Sequence, residues 1–303
     1  MRQRLEGYSR RTFLAAAAAI LGHPFRLTAS ELVDPEITLP TLKDSLKFAV
    51  IGDSGSGSSR QYETGRQLIS AHEHFPFSFV LMLGDNIYGG QSPSDLKKKF
   101  ELPYAPLLQA DVPFYATLGN HDDANVQLAY KPFHLDGRRY HTFKKGHAQF
   151  FVLDSTYLGK EQVQWFEAEL LKSDAQWKIA YMHHPIYSSG RTHGSDMPLR
   201  AALEPILIGQ GVDVVLAGHE HFYERIKPQH GIQYFTAGSA GKLREGNIAT
   251  RSLLTAAGFD SDLSFMLMEI AGDELSYQVI SRLGKTVDRG SLLRRAARAD
   301  GSS

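Results

Sequence analysis

The sequence places metal-binding side chains after each of five short apolar segments. These side chains are two carboxylates, one amide and three imidazoles: Asp53, Asp85, Asn120, His183, His219 and His221. Such oxygen and imidazole donors suit hard or borderline divalent and trivalent ions. Because six donors exceed what one ion needs, the set favours two ions with one carboxylate bridging them. The candidate chemistry is that of a two-metal centre, which can hold a reactant between its ions and activate water.

Each donor taken alone has a simpler interpretation. A Gly-Asp pair after a strand is commonly a turn, an isolated asparagine commonly caps a helix or turn, and an isolated histidine is commonly packed or on the surface. His219 and His221 are a stronger signal, because alternate residues of a strand share one face. Gly218 alternatively permits a sharp turn into an irregular loop. All five turns that carry these donors follow an apolar segment, which favours one shared site.

The apolar segments have the length and residue types of β-strands. They are Leu46–Ile51, Phe79–Leu83, Phe114–Leu118, Ile179–Met182 and Val212–Ala217. Helix-like stretches lie between several of them: Ser59–Ala71, Pro93–Leu108, Glu161–Lys172 and Pro198–Ile208. Strands alternating with helices indicate an α/β fold with a largely parallel sheet. Ligands of such sheets bind outside the carboxyl ends of the strands, where the five turns should converge.

Further strand-like segments follow one another mostly without helices between them. They are Tyr140–Phe143, Gln149–Leu153, Ile232–Thr236, Phe265–Ile270 and Leu275–Ile280. We interpret these later strands as a second, mixed sheet. The predicted fold is therefore a four-layer α-β-β-α sandwich, with two mixed sheets flanked by helices and the metal site at the carboxyl ends of the strands.

Composition narrows the class of protein. The 303 residues include 33 basic and 33 acidic side chains, so the net charge is zero and a nucleic-acid partner is not expected. Hydrophobic residues at 42% and charged residues at 22% are typical of a globular chain. The absence of cysteine excludes disulfides, thiolate metal sites and a cysteine nucleophile. We predict one domain over residues 31–290 and a flexible tail over residues 291–303, with Arg294, Arg295 and Arg298 solvated.

Residues 1–30 have the pattern of an export signal. Arg10 and Arg11 precede the apolar stretch Phe13–Leu21, which is about half the roughly 20 residues that span a bilayer. A paired arginine before such a stretch resembles a twin-arginine signal. The alternative is an ordinary amphipathic first helix. We therefore expect a periplasmic or secreted protein that uses the twin-arginine export machinery and has no stable membrane insertion.

Five motifs occur in order along the chain: Gly52-Asp53, Gly84-Asp85-x-x-Tyr88, Gly119-Asn120-His121-Asp122, His183-x-Pro185 and Gly218-His219-x-His221. As a set they resemble the binuclear metallophosphoesterases of the calcineurin-like superfamily, and within it the purple acid phosphatase branch. The resemblance covers residues 46 to about 245. The broader group has Asp-x-His in the first motif, where this chain has Asp53-Ser54-Gly55. In the purple branch a tyrosine replaces that histidine, and Tyr88 stands at its position; the alternative is a loop aromatic packed on the core.

The resemblance implies a role for every donor. Asp53, Tyr88 and His221 would hold the first metal, Asn120, His183 and His219 the second, and Asp85 would bridge both. His184 is an alternative to His183, which is favoured because the family's ligand lies two residues before the proline. Two carboxylates and a phenolate are hard donors, which favour Fe(III) at the first position. The second position is expected to hold Fe(II), Zn or Mn.

The resemblance also implies an activity. The expected protein is an exported acid phosphatase that hydrolyses phosphate monoesters of small molecules by attack of a metal-bound hydroxide. A trivalent ion should acidify its water strongly, which predicts activity at mildly acidic pH. One alternative is a phosphodiesterase acting on nucleotides or phospholipid headgroups, with specificity in loops 91–95 and 188–197. The other is a non-catalytic redox iron protein.

Two histidines outside the ligand set are the candidate catalytic residues. His121 matches a family histidine proposed to protonate the leaving alkoxide, and Asp122 would either orient it or be a surface carboxylate. His193 is expected to contact the substrate phosphate or the leaving group. It lies on Ser188–Gly194, a Gly/Ser-rich loop predicted to be mobile. Residues expected to support the ligands from behind are Asp154, Glu220 and Tyr223-Glu224-Arg225.

Overall fold

The computed structural model describes residues 33–295. The predicted export segment and Arg298 lie outside the described residues. Within them, no helix combines the length and the apolar character needed to cross a membrane.

The first of two sheets has six strands in the spatial order β13-β12-β11-β1-β2-β3. Its strands are β1 (Leu46–Ile51), β2 (Val80–Met82), β3 (Phe114–Ala116), β11 (Ser264–Ala271), β12 (Glu274–Ser281) and β13 (Thr286–Leu293). Strands β1 to β3 are parallel, and β11 pairs with β1 in the antiparallel sense. The sheet is therefore mixed.

The second sheet has seven strands in the spatial order β10-β8-β9-β7-β6-β5-β4. Its strands are β4 (His141–Lys145), β5 (Ala148–Val152), β6 (Trp177–Met182), β7 (Val214–Ala217), β8 (Tyr223–Ile226), β9 (Gln233–Ala237) and β10 (Thr255–Phe259). Strands β5, β6, β7 and β9 are parallel, and β4 and β8 run in the opposite direction. Strand β10 is antiparallel to β8 and therefore has the same direction as β9. This sheet is also mixed.

Helices occupy the connections between the strands. The α-helices of the described residues are α1 (Ser59–His74), α2 (Pro93–Leu96), α3 (Ala105–Gln109), α4 (Ala124–Gln127), α5 (Lys160–Lys172) and α6 (Met197–Gly209). The single helix predicted over Pro93–Leu108 is wrong: a π-helical turn, Lys97–Glu101, follows α2, and the chain then turns before α3. Pro103 lies at this interruption, where its missing N–H prevents a continuous helical hydrogen-bond pattern.

Apolar side chains fill three layers between these elements. Phe48 of β1 and Phe150 of β5 pack between the two sheets, with ring centroids 5.4 Å apart. Ile51 points to the opposite face of the first sheet and packs with Leu68 of α1. On the outer face of the second sheet, Phe166 of α5 and residues of α6 belong to a third cluster. The predicted α-β-β-α sandwich of two mixed sheets flanked by helices is confirmed.

The distribution of strands between the sheets differs from the prediction. Strands β6 and β7, which we grouped with the first parallel sheet, lie in the second sheet. Conversely, β11 and β12, which we placed in the second sheet, extend the first. The reason is a long-range antiparallel pairing that aligns Leu46 with Ile270 and Val50 with Met266. Consequently two sheets, not one, supply the strand ends of the site.

The C-terminal segment also differs from the prediction of a free tail after residue 290. Strand β13 continues to Leu293, and Arg294 Nε lies 2.7 Å from Asp273 Oδ1. The backbone N–H of Arg295 donates to Asp213 Oδ1 at 3.1 Å. Pairing with β12 therefore holds the chain as far as Leu293, and the two aspartates hold Arg294 and Arg295.

Acid sensitivity of the fold is expected at His141, which is 4% exposed and has no hydrogen-bond partner at either ring nitrogen within the described residues. Burial, and then the charge of Arg138, lower its pKa from 6.5 to about 4. The folded protein therefore resists a proton that the unfolded chain accepts, so stability is lost as the pH falls from 6.5 towards 4. His141→Leu should reduce this loss by about 3 kcal/mol. Denaturant unfolding of both proteins at pH 7 and pH 4.5 would test it, and equal acid sensitivity would contradict it.

Candidate metal centre

The predicted donors lie together at the carboxyl ends of strands from both sheets. Asp53, Asp85 and Asn120 follow β1, β2 and β3, whereas His183 follows β6 and the His219/His221 pair follows β7. The two sheets are joined at this edge, because His183 Nδ1 donates to the carbonyl oxygen of Leu83 at 2.9 Å. The structure thus brings all six donors, and Tyr88 with them, into one place.

The backbone at the site is held in uncommon conformations. Asp53, Asp85 and His219 have φ angles of +53°, +49° and +66°, a region that non-glycine residues seldom adopt. Two positions near these residues have no room for a side chain. A Cβ atom at Gly119 would lie 2.3 Å from Asp85 Oδ1, and one at Gly218 would lie 2.6 Å from Asp53 Oδ2. Strained backbone of this kind is concentrated at functional sites, where the surrounding fold imposes it.

The first group of donors consists of Asp53, Tyr88 and His221. The Tyr88 hydroxyl lies 2.9 Å from Asp53 Oδ1 and 3.0 Å from His221 Nε2. His221 Nε2 is 3.3 Å from the same aspartate oxygen. Donor atoms about 3 Å apart match neighbouring ligands of one ion whose bonds are about 2.1 Å long. Tyr88 is therefore placed as a candidate ligand and not only as a packed aromatic.

The second group consists of Asn120, His183 and His219. Asn120 Oδ1 lies 3.0 Å from His183 Nε2 and 3.1 Å from His219 Nδ1. The two imidazole nitrogens are 3.2 Å apart. This triangle of one amide oxygen and two nitrogens is the arrangement expected around a second ion.

Asp85 lies between the groups. Its Oδ1 atom is 3.4 Å from His183 Nε2 in the second group. One of its carboxylate oxygens also lies within 4.8 Å of ligand atoms of Asp53 and His221 in the first group. Oδ1 in addition accepts the backbone N–H of His121 at 2.9 Å. Its Oδ2 atom is buried and has no hydrogen-bond partner within the described residues. Such an atom is costly unless it is satisfied by something else. The donor set therefore fits a pair of ions with Asp85 between them.

The electrostatics of the donor side chains agree with this fit. Burial, and then the Asp85 carboxylate, raise the pKa of Asp53 well above its usual range. Burial lowers the pKa of His219 to about 2 and that of His221 to about 4. The imidazoles are therefore neutral, which is the form that binds a metal. Burial, and then Asp53, raise the pKa of Tyr88, so a tyrosinate here requires a strong positive charge beside its oxygen.

His184 is close to the second group, but its side chain forms a hydrogen bond with Ser155. Its Nδ1 lies 2.9 Å from the hydroxyl of Ser155, and its ring centroid is 4.3 Å from that of His219. A ligand-capable nitrogen of His184 also lies within 4.8 Å of those of His183 and His219. His183, which contacts Asn120 directly, is the better placed of the two. The assignment of individual ligands stays a prediction.

The two candidate catalytic histidines lie on opposite flanks of the donors. The His121 ring packs 5.0 Å from the Tyr88 ring, and the His193 ring lies 4.3 Å from the His219 ring. Both side chains are exposed. They can therefore reach a substrate held at the site without being ligands themselves.

Asp122 is neither a surface carboxylate nor a partner of the His121 side chain among the described hydrogen bonds. It accepts backbone N–H groups of Gly119, Asn86 and Ile87 at 2.8 to 3.1 Å. Burial, and then Asp85, raise its pKa to about 7. Asp122 thus fixes the loops that carry the ligands and does not orient the imidazole of His121.

The loop predicted to be mobile, Ser188–Gly194, is fastened by two buried glutamates. Glu224 accepts the N–H of Ser189 at 2.9 Å, and Glu220 accepts the N–H of Gly194 at 2.7 Å. The other residues of the predicted supporting set act elsewhere: Tyr223 and Arg225 bind Asp288, and Asp154 binds Arg139. The position of His193 is therefore set by Glu220 and Glu224.

Sequence reasoning missed two basic residues on the loop after β9. Lys242 Nζ lies 4.7 Å from the centroid of the Tyr88 ring, and the backbone N–H of Arg244 donates to the carbonyl oxygen of His221 at 2.9 Å. The sequence feature that could have indicated them is Ala240-Gly241, a turn of small residues after β9. Like β6 and β7, β9 belongs to the second sheet.

Comparisons with known proteins agree with this geometry. Residues 46–223 match the family model for calcineurin-like phosphoesterases. The chain is 25% identical to tartrate-resistant acid phosphatase type 5 of Homo sapiens, over 88% of this chain and 97% of that protein. It is 31% identical to purple acid phosphatase 17 of Arabidopsis thaliana, over 67% of this chain and 71% of that protein. The solved structure of purple acid phosphatase PPD1 from yellow lupin (Lupinus luteus) seeds shares the fold with a TM-score of 0.71 and 17% identity, over 84% of this chain and 55% of that one.

The fold and the two donor groups define a metal-dependent hydrolase of phosphoric esters, and the chain belongs to the calcineurin-like phosphoesterase family. Within that family it is a purple acid phosphatase-like member, as the motifs indicated.

Removal of metal should destabilise the protein, because it leaves Asp53 and Asp85 buried without a counter-charge. Ions at about 1,000 times their dissociation constant contribute about 4 kcal/mol, which corresponds to a Tm change of about 10 °C in a domain of this size. Calorimetric scans before chelation, after it and after metal is restored would measure the change. An unchanged Tm in protein shown to be free of metal would contradict the proposed sites.

Proposed function

We propose that this protein is an acid phosphatase that hydrolyses phosphate monoesters at a mixed-valence or mixed-metal centre. The proposed ions are Fe(III) at Asp53, Asp85, Tyr88 and His221, and Fe(II), Zn or Mn at Asp85, Asn120, His183 and His219. The observation that carries this proposal is the Tyr88 hydroxyl, 2.9 Å from Asp53 and 3.0 Å from His221. A phenolate there would give the first position a hard, anionic ligand suited to a ferric ion.

The bound ions, His121 and His193 would have separate roles in the reaction. When bound, the ions supply the charge that holds a phosphate ester and lowers the pKa of a water molecule. His121, exposed beside Tyr88, would donate a proton to the oxygen of the leaving alcohol. His193, held by Glu220 through Gly194, would donate a hydrogen bond to a phosphoryl oxygen.

We also propose that the protein acts outside the cytoplasm. The support is the Arg10-Arg11 pair before a short apolar stretch, which favours export by the twin-arginine machinery to the periplasm or beyond. Fusion of residues 1–40 to a folded reporter tests this. Export that is lost when both arginines become lysines supports the proposal, and unchanged export contradicts it.

The metal assignment predicts a visible absorption band. The purified protein should contain two metals and show a tyrosinate-to-iron charge-transfer band. Tyr88→Phe should abolish the band, because the phenolate oxygen is removed while the ring that packs on His121 remains. Metal analysis and spectra of both proteins provide the test, with Tyr157→Phe, at a 70% exposed tyrosine, as the matched control. A wild-type protein with two metals and no band would contradict ferric ligation by Tyr88.

The substrate class is tested by rates on paired chromogenic substrates. We expect faster hydrolysis of an aryl monophosphate than of the corresponding diester, with a maximum at mildly acidic pH. The reverse order would favour the phosphodiesterase alternative. Two bound metals without turnover of either substrate would favour a redox protein.

A further inference from the structure

One cationic side chain beside the centre is used neither by the donors nor by the candidate proton donors. Lys242 is half-buried, and its ammonium lies over the Tyr88 ring, 4.7 Å from the centroid. In the part of the chain that the structure describes, no carboxylate oxygen lies within 4.0 Å of this ammonium. A half-buried cation without an anionic partner favours an anionic ligand.

The position of Lys242 is set by the loops that carry the donors. A Cβ atom at Gly241 would lie 2.1 Å from the carbonyl oxygen of Ser54, so the turn is pressed against the Asp53 loop. The N–H of Ala240 donates to the carbonyl oxygen of Gly52 at 3.1 Å. The N–H of Arg244 binds the loop of His221 on the other side. Lys242 is thus fixed next to the first donor group.

The neighbouring cation is already neutralised. Arg244 lies 3.5 Å from Glu220 Oε2, and this carboxylate is buried. Lys242 has no such carboxylate partner among residues 33–295, so the positive charge that faces incoming substrate on this flank is its own.

The location of the ammonium indicates which part of a substrate it would meet. The Tyr88 hydroxyl is directed at Asp53 and His221, whereas Lys242 lies over the ring, outside the donor group. The His121 ring packs against the same tyrosine, 5.0 Å away. A phosphate ester held at the donors, with its leaving oxygen protonated by His121, would direct its alcohol part along this flank.

We infer that Lys242 is a specificity-determining residue that binds a second anionic group, a carboxylate or a phosphate, on the alcohol part of the substrate. This inference rests on the proposed phosphatase function. Charge-assisted hydrogen bonds from ammonium to carboxylate are among the stronger polar contacts, which gives the contact enough energy to discriminate between substrates.

The test uses two probes that differ in one charge. The metal-loaded protein is titrated calorimetrically with (4-carboxybenzyl)phosphonate and (4-carbamoylbenzyl)phosphonate, which are not hydrolysed. The wild type should bind the carboxylate about tenfold more tightly, and Lys242→Met should remove this preference while Lys242→Arg retains most of it. Lys145→Met is the matched control, because Lys145 of the edge strand β4 also lies over a tyrosine ring, with its ammonium 5.1 Å from the centroid of Tyr115.

Turnover of the corresponding aryl phosphates separates the inference from the proposed function. If the phosphonate preference depends on Lys242 but neither aryl phosphate is hydrolysed, the proposed function fails and the anion site stands. If both phosphates are hydrolysed and the wild type shows no preference, the inference is wrong. Equal weakening of both probes in Lys242→Met would also overturn it, since that result indicates a structural role or contact with the phosphoryl group.

Discussion

Replacing Asp85 with asparagine is expected to lower kcat by about 1,000-fold. The variant keeps the size of the side chain and removes its negative charge. Because the Asp85 carboxylate lies between the two donor groups, its neutralisation should weaken the binding of both ions. Metal analysis should show less than the full complement of two ions.

The same substitution should have the opposite effect on the metal-free protein. Asp53 and Asp85 are both buried, and the charge of Asp85 contributes to the raised pKa of Asp53. Removing one of two like charges relieves repulsion that the bound ions would otherwise offset. After chelation, the Tm of Asp85→Asn should therefore equal or exceed that of the chelated wild type. If Asp85 is a ligand, the variant should have the lower Tm when metal is present and an equal or higher Tm after chelation. If its role is purely structural, the variant should have the lower Tm under both conditions.

Asp213→Asn provides a matched control for Asp85→Asn. Asp213 is also buried, and it accepts the N–H of Lys178 at 2.8 Å, at the amino end of β7 away from the donors. This variant should keep both metals and its activity, with at most a moderate loss of stability. Full metal content and normal kcat in Asp85→Asn would refute the bridging role.

The placement of the site could be predicted because its residues are local signals at strand ends. A buried parallel strand followed by Gly-Asp or Gly-Asn indicates a ligand-binding edge of the sheet. This pattern is local in sequence, so it can be identified without knowing which distant strands pair. Tyr88 was predictable only through the family motif, since a tyrosine in a loop has no chemical pattern of its own. Its contacts with Asp53 and His221 depend on a turn whose path the sequence does not reveal.

Other features depend on pairings between distant residues. The assignment of β11 to the first sheet follows from its register with β1, some 220 positions earlier, and apolar alternation alone is compatible with either sheet. Asp122 was predicted either to orient its neighbour His121 or to be a surface carboxylate, but it accepts three backbone N–H groups from two loops. The Gly/Ser-rich composition of Ser188–Gly194 indicated mobility, whereas the buried Glu220 and Glu224 supply acceptors that composition does not show.

His121→Ala is expected to lower kcat by about 100- to 10,000-fold for substrates with a poor leaving group, while metal content and the visible band stay unchanged. The imidazole is exposed and is not one of the proposed metal ligands, so its removal leaves the donors in place. The bond that His121 gives to Asp85 comes from its backbone N–H, and alanine retains it. The loss should therefore appear in chemistry and not in metal binding.

The leaving group distinguishes a proton donor from a residue that only shapes the site. An alkyl phosphate expels a basic alkoxide that needs a proton, whereas 4-nitrophenyl phosphate expels a stable phenolate that does not. The deficit of His121→Ala should therefore be large for the alkyl ester and small for the aryl ester. His147→Ala, at an exposed histidine in the turn between β4 and β5, should affect neither rate. Equal losses on both substrates would assign His121 to binding or structure, and unchanged hydrolysis would remove it from the mechanism.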